Sequence, residues 1–243
     1  MTDHRGPDAA LLINPQLDVD AIRRTYAAEG RVLIRDFLEE RSAQALHRFL
    51  NQEMPWDWWY ATLRPVNNGV GSLRCLPENF DHIHALTLEV QRRFDEGVFA
   101  YSFYRTVNDH GSGCLCLECD FRKLLAQPTT LALLSAMTGT ALAHPGEVFS
   151  SCYLPNSFLA THRDNDNGQI GFVCNLTQGW RPDFGGNLHF LTEDYQTIRE
   201  VITPQFNTLL LFELPAARGT PHFVSHVAAG VTRKRLAISG WIK

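Results

Sequence analysis

Residues 153–165 read Tyr-Leu-Pro-Asn-Ser-Phe-Leu-Ala-Thr-His-Arg-Asp-Asn, ending in a histidine and an aspartate two positions apart. On a strand, residues i and i+2 point to the same face, so His162 and Asp164 can offer an imidazole nitrogen and a carboxylate oxygen to one ion. A His-x-Asp tripeptide is weak evidence alone, because a chain with ten histidines produces one readily by chance. The run His-Arg-Asp-Asn-Asp-Asn-Gly is also polar and turn-prone, so a surface turn is the competing reading. What flanks the tripeptide has to decide.

Working outward, the chain after Gly139 changes texture. Segments beginning near 146, 157, 169, 186, 198, 206, 222 and 234 are short, alternating or β-branched, and Gly, Pro, Asn and Asp separate them. Short strands at such spacing are the sign of a sandwich or barrel. The first half is helix-rich. Residues 18–29 carry Ala21, Ile22 and Tyr26 at helical spacing, with Asp18 or Asp20 to cap and Gly30 to terminate. A strand is expected at Val32–Arg35, an amphipathic segment near 40–52, a helix at His82–Phe94, a strand at Val98–Tyr104 and a polar loop at Asn108–Cys119. Helix follows over Phe121–Met137, broken near Pro128. The fold class expected is α+β, mainly β: a double-stranded β-helix of jelly-roll or cupin-like type over 141–243, with the helices of 1–140 packed outside it. No linker-like stretch divides the two, so residues 1–243 are read as a single domain.

The tail settles the meaning of the tripeptide. It reads His226-Val-Ala-Ala-Gly-Val-Thr-Arg-Lys-Arg-Leu-Ala-Ile-Ser-Gly-Trp241. In an alternating strand Arg235, Ala237 and Ser239 share a face, which sends a guanidinium and a hydroxyl into the barrel. A buried arginine demands an anion: either an internal Asp or Glu, or a dicarboxylate ligand suited to the planar guanidinium fork. His162, Asp164 and His226 would supply two imidazoles and one carboxylate on one face of a metal, leaving positions open, as in non-haem Fe(II) oxygenases.

Over about residues 146–243 the chain resembles the prolyl-hydroxylase group of the Fe(II)- and 2-oxoglutarate-dependent dioxygenases. The shared features are Tyr153 nine residues before His162, the His162-Arg-Asp-Asn-x-Asn-Gly run, Gly185-Gly186 before Asn187-Leu188 and after Trp180, and Arg235 followed four residues on by Ser239. The resemblance implies that His162, Asp164 and His226 ligate iron and that Arg235, with Ser239 and Tyr153, binds the distal carboxylate of 2-oxoglutarate. His222 is a rival to His226 in the same segment; the nine-residue spacing to Arg235 favours His226 by the family pattern. One departure stands out. Relatives often place a tyrosine in the strand before the tryptophan, where this chain has Phe172-Val-Cys174-Asn175.

The activity implied by the resemblance is hydroxylation of an aliphatic C–H, with a prolyl residue of a protein or peptide as target. It uses Fe(II), O2 and 2-oxoglutarate, releases succinate and CO2, and has ascorbate as a candidate reductant. Hydroxylation of a free amino acid or small metabolite is the alternative, and a non-catalytic barrel that binds an anion or a protein is the reading from another class.

Composition excludes little but is consistent. A formal charge of −4 gives no broad attraction for nucleic acid or an anionic membrane. The N-terminal residues lack the pattern of a signal peptide, so the expected location is cytoplasmic and the six cysteines are expected to be mostly reduced. Cys114-Leu-Cys116-Leu-Glu-Cys119, with His110 nearby, has three thiols of a zinc site but no second paired cluster, and reads as a reduced loop near the site mouth. Trp56, Trp58, Trp59 and Tyr60 either line a cleft or pack the helical layer.

Overall fold

The structure is a computed structural model that describes residues 10–63, 68–106, 113–164, 167–214 and 219–243. His110, Asn165 and residues 108–112 of the loop expected at 108–119 lie outside the described residues. The chain opens with α1 (Val19–Glu29), whose Asp18 side chain caps the Ala21 N–H at 2.9 Å and whose end is turned by Gly30 at φ 68°. Of the two candidate caps, Asp18 is the one used; Asp20 lies in the first turn, where its charge suits the helix dipole. Strand β1 (Arg31–Arg35), α2 (Glu40–Arg48) with a π-turn over Phe49–Glu53, and the hairpin of β2 (Trp56–Leu63) and β3 (Asn68–Arg74) follow. Then come α3 (Phe80–Asp95), β4 (Ala100–Thr106), α4 (Leu117–Ala126) and α5 (Pro128–Thr138). Pro128 separates the last two helices by occupying the first turn of α5, where its missing N–H costs nothing.

The eight expected segments all form strands: β5 (Pro145–Tyr153), β6 (Phe158–His162), β7 (Ile170–Asn175), β8 (Leu188–Leu191), β9 (Ile198–Ile202), β10 (Thr208–Glu213), β11 (His222–Val224) and β12 (Arg235–Ile242). Pairing is antiparallel throughout, in the order β1-β10-β7-β12-β5-β4-β6-β11-β8-β9. Strand β4 makes the corner. Its Tyr104 and Arg105 pair with β5, while its Tyr101 and Ser102 pair with β6, so one strand carries the sheet from one wall of the curl to the other. β2 also pairs with β4, and β3 extends the sheet beyond it.

Alternation sorts the core into two layers. Leu209 and Leu211 of β10, with Phe172, Cys174, Leu236 and Ile238, face outward against Leu46, Leu50, Phe121, Leu125, Leu134 and Met137 of the helical layer. Leu210 and Phe212 face inward with Tyr153, Phe190 and Val224. β10 is therefore covered on both faces, which is why Thr-Leu-Leu-Leu-Phe is a continuous apolar run rather than an alternating one. Of the tryptophan cluster, Trp58 is buried and donates to Ser102 at 2.9 Å, a packing role. Trp59 pairs with Phe103 and so lies on the inward-facing side.

Candidate metal centre

The inward face of the barrel gathers the polar side chains. His162, Asp164 and His222 each offer a ligand atom, and these atoms lie within 4.8 Å of one another. His162 Nε2 is 3.5 Å from Asp164 Oδ1, and His222 Nε2 is 3.5 Å from Asp164 Oδ2. Cis donors on an octahedral ion with bonds of about 2.1 Å are about 3 Å apart, so small side-chain shifts suffice to close the set on one ion.

A bulge brings the histidines together. His222 pairs with His162 and Val224 with Leu159, so β6 advances three residues where β11 advances two. The extra residue reverses the alternation within β6, and both Leu159 and His162 come to lie on the inward side. Each imidazole is then fixed by its other nitrogen: His162 Nδ1 is 3.0 Å from the Ala160 carbonyl and His222 Nδ1 is 3.0 Å from that of Thr220. Donating Nδ1–H to a carbonyl leaves Nε2 as the lone pair aimed at the cluster. Burial, then the neighbouring His222, push His162 down to about 4, so its ring is neutral at pH 7. Burial pushes the Asp164 carboxyl up, but the adjoining His222, His162 and Trp241 side chains outweigh it and hold the group below the usual carboxylate range. Neutral imidazoles and an ionised carboxylate are the states a divalent cation requires.

His162 gives a pH prediction for the metal-free protein. Its folded pKa of about 4 lies below the ordinary 6.5, so between those values the unfolded chain binds the extra proton. The stability it contributes is fully present above pH 6.5 and is lost as pH falls through 4, amounting to at most about 3 kcal/mol. The urea midpoint of metal-free protein should fall between pH 6.5 and 4.5, and less so in His162→Gln.

Arg163 points away from the cluster, as the alternation implies, and holds the turn from behind. Its guanidinium donates to Tyr195 Oη at 2.9 Å, the Gly219 carbonyl at 2.5 Å and Glu193 at 2.6 Å. It thus ties the His162–Asp164 turn to the segment leading into His222. Arg163→Ala should weaken divalent-metal affinity about 10–100-fold, the usual effect of losing an outer positioning group, while 2-oxoglutarate affinity of the metal-loaded protein changes little. Isothermal titration with Mn(II) measures the first and titration with 2-oxoglutarate the second.

Arg235 lies on the same inward face, buried at 4% exposure, with its guanidinium carbon 4.5 Å above the Tyr153 ring. Its Nε has no hydrogen-bond partner, and among the described residues no carboxylate pairs with it. Burial accordingly lowers its pKa, with Tyr153 partly offsetting the effect. Tyr153 itself is buried and stacks on Phe103 at 5.0 Å, so it forms the floor beneath the guanidinium. Ser239, half-buried, faces the same way four residues along β12. Asn175 pairs with Ala237, so it too faces inward, and its buried Oδ1 lacks a partner while its amide donates to Thr208 at 3.2 Å. In the strand where relatives often place a tyrosine, this asparagine is the polar side chain that faces inward. Gly186 makes room: at φ 62°, a Cβ there would meet Val227 at 3.0 Å and the Arg235 Cδ at 3.1 Å.

The structure does not bring His226 to the cluster. Its ring stacks on Phe158 at 4.2 Å, meets Phe94 edge-on at 5.2 Å and contacts Gln91 at 3.2 Å, in a pocket of about 240 Å³ that it lines with Phe94, Phe158 and Phe223. His226 docks α3 onto the sheet, and His222 takes the place assigned to it. The reason is the length of the β11–β12 connection, residues 225–234, which removes the nine-residue spacing to Arg235 as a guide. The usable signal was local: His222 opens the short apolar strand His-Phe-Val, whereas His226 follows Ser225, after that strand has ended.

Residues 148–243 match the 2OG-Fe(II) oxygenase superfamily. This barrel is that of a 2OG-Fe(II) oxygenase. The match spans β5 to β12, which carry His162, His222 and Arg235, with Asp164 between β6 and β7. Solved structures extend the likeness of fold to most of the chain. A 2OG-Fe(II) oxygenase-family oxidoreductase from Burkholderia pseudomallei aligns with a TM-score of 0.59 at 15% identity, covering 96% of this chain and 94% of that one. A prolyl hydroxylase from Trichoplax adhaerens, solved with a peptide fragment of the hypoxia inducible factor oxygen degradation domain, aligns with 0.58 at 19%, covering 92% and 88%. The 2-oxoglutarate-dependent epimerase SnoN of nogalamycin biosynthesis aligns with 0.52 at 12%, covering 91% and 80%. A search of curated proteins returned no match. The match thus makes residues 148–243 the barrel of a 2OG-Fe(II) oxygenase, and among the described residues of the chain no helix is long and apolar enough to cross a membrane.

Proposed function

We propose that this dioxygenase hydroxylates an aliphatic C–H of a prolyl residue in a protein or peptide, with Fe(II) held by His162, Asp164 and His222. The observation that carries the site assignment is the pairing of a cluster of two imidazoles and a carboxylate with a buried guanidinium whose Nε is unpartnered, on the same barrel face. Both fit the absent groups: the cluster suits a divalent ion, and Arg235 lacks the anion that its burial demands. Bound iron with 2-oxoglutarate and O2 supplies the oxidising power, with release of succinate and CO2. The chain's own residues do the rest. Arg235 receives the distal carboxylate of 2-oxoglutarate through a bidentate fork, with Ser239 and Asn175 on the same barrel face. The apolar lining of Tyr153, Phe103, Phe190 and Phe212 excludes solvent from the reaction.

The prolyl reading is supported by the surface that continues inward-facing β4. Phe99, Tyr101, Phe103 and Arg105 succeed one another on one side of that strand, and Trp59 on β2 and Phe149 on β5 join them. An aromatic strip of this kind beside the open hairpin β2–β3 offers stacking faces for a pyrrolidine ring within an extended segment. We also read residues 1–243 as one functional domain, since the helices cover the outer face of the sheet whose inner face carries the cluster.

The test is to incubate iron-loaded protein with 2-oxoglutarate, with and without ascorbate, and either proline-containing peptides or free amino acids. Peptide-dependent succinate release, with one oxygen atom gained on proline, is expected. Succinate release stimulated by free amino acids alone would end the prolyl reading while leaving the iron site standing.

A further inference from the structure

Cys114, Cys116 and Cys119 form a second cluster whose sulfurs lie within 4.8 Å of one another. Cys116 is the residue before α4 and Cys119 lies in its first turn, so this part of the expected loop is the start of a helix. The three pack against the core of the helical layer rather than at the inward-facing site: Cys116 is buried at 9% exposure, and Cys114 and Cys119 are half-buried.

We propose that these three thiols bind one Zn(II) ion, a site separate from the iron centre. Three arguments converge on it. The geometry comes first: thiolates on a tetrahedral ion with bonds of about 2.3 Å lie about 3.8 Å apart, and the observed spacing is already within reach. Second, Cys116 stands at the N-cap of α4 and Cys119 in its first turn, so the positive end of the helix dipole faces the cluster. A helix N-terminus beside sulfur favours thiolate, the form that binds a metal. Third comes charge. Three thiolates together would carry three negative charges in a half-buried place, and a divalent ion offsets more of that than a monovalent one. Three protein ligands leave the fourth position to water or an external thiol.

The site would act on the barrel through α4. Glu118, between the cysteines, is fully buried, bonds Ser150 on β5 at 2.7 Å, contacts Thr106 on β4 at 3.4 Å and pairs with Arg122. A metal at the thiols would pin the start of α4 and with it this buried link to the two strands that flank the barrel corner.

The test uses full-length protein in which His162→Ala and Asp164→Ala remove the iron site. Zinc should bind at one equivalent and raise the melting temperature. Co(II) should give an intense near-ultraviolet thiolate-to-metal band, which imidazole and carboxylate ligands cannot produce. Adding Cys116→Ser, or separately the less buried Cys114→Ser, should abolish that band and weaken zinc at least tenfold. A cobalt complex without thiolate absorption in the folded parent, or zinc binding unaltered by a folded Cys114→Ser variant, overturns the proposal. So does an intramolecular disulfide formed in the freshly purified protein in place of bound metal.

Discussion

Replacing His222 with alanine should abolish succinate formation and lower divalent-metal affinity by more than about 100-fold, since even outer positioning groups cost 10–100-fold. His226→Ala, by contrast, should retain turnover within a few-fold and lose only about 1 kcal/mol of stability, the cost of deleting a ring stacked on Phe158. The contrast is informative because the two histidines are four residues apart and the spacing to Arg235 favoured the other one, His226. What separates them is the ladder. His222 is paired directly with His162 across β6 and β11, with ring centroids 4.3 Å apart, whereas His226 lies beyond the end of β11 with its ring against α3. Metal titration of both variants, alongside succinate assays, checks the result. Loss of metal in His226→Ala with retention in His222→Ala would reverse the assignment.

Arg235→Met should separate binding from folding. In the ligand-free protein the guanidinium is buried with its Nε unpartnered, a costly state, so an apolar side chain of similar length should leave stability unchanged or raise it. The same change should cost about 2–5 kcal/mol of 2-oxoglutarate binding, because a buried charge-assisted pair is lost. Melting curves show both effects at once. Wild-type protein loaded with Mn(II) should gain about 2.7 kcal/mol of stability when 2-oxoglutarate is at 100 times its Kd, and the variant should gain less than about 1 kcal/mol at that concentration. Arg235→Lys should fall between them, since a point charge replaces the planar fork. A variant that keeps the full ligand-dependent shift would show that the cosubstrate binds elsewhere.

Much of this was legible in the sequence because the relevant signals are local. Alternation and turn residues located all eight C-terminal strands, and Pro128 and Gly30 marked helix boundaries by backbone chemistry that owes nothing to tertiary contacts. Arg235 was readable for the same reason: a charged residue in an otherwise apolar strand must face a special environment. The choice between His222 and His226 was not readable from spacing, because it depends on where β11 ends and on how many residues connect it to β12. Nor was the bulge that turns His162 inward, since a one-residue slip in register is a property of the paired strands. Neither strand of the β2–β3 hairpin was legible: Trp-Asp-Trp-Trp-Tyr-Ala-Thr-Leu and Asn-Gly-Val-Gly-Ser-Leu-Arg both lack the alternation that marks a strand. The convergence of the three cysteines likewise required the helix start that places Cys119 beside Cys116.

The most direct measurement is an anomalous-difference map from crystals grown without oxygen in Mn(II) and 2-oxoglutarate. A single strong peak is expected about 2.0–2.2 Å from Nε2 of His162, Nε2 of His222 and a carboxylate oxygen of Asp164, with the ligand's far carboxylate on the Arg235 guanidinium. A peak beside His226, or 2-oxoglutarate density that leaves Arg235 without an anion, would contradict it.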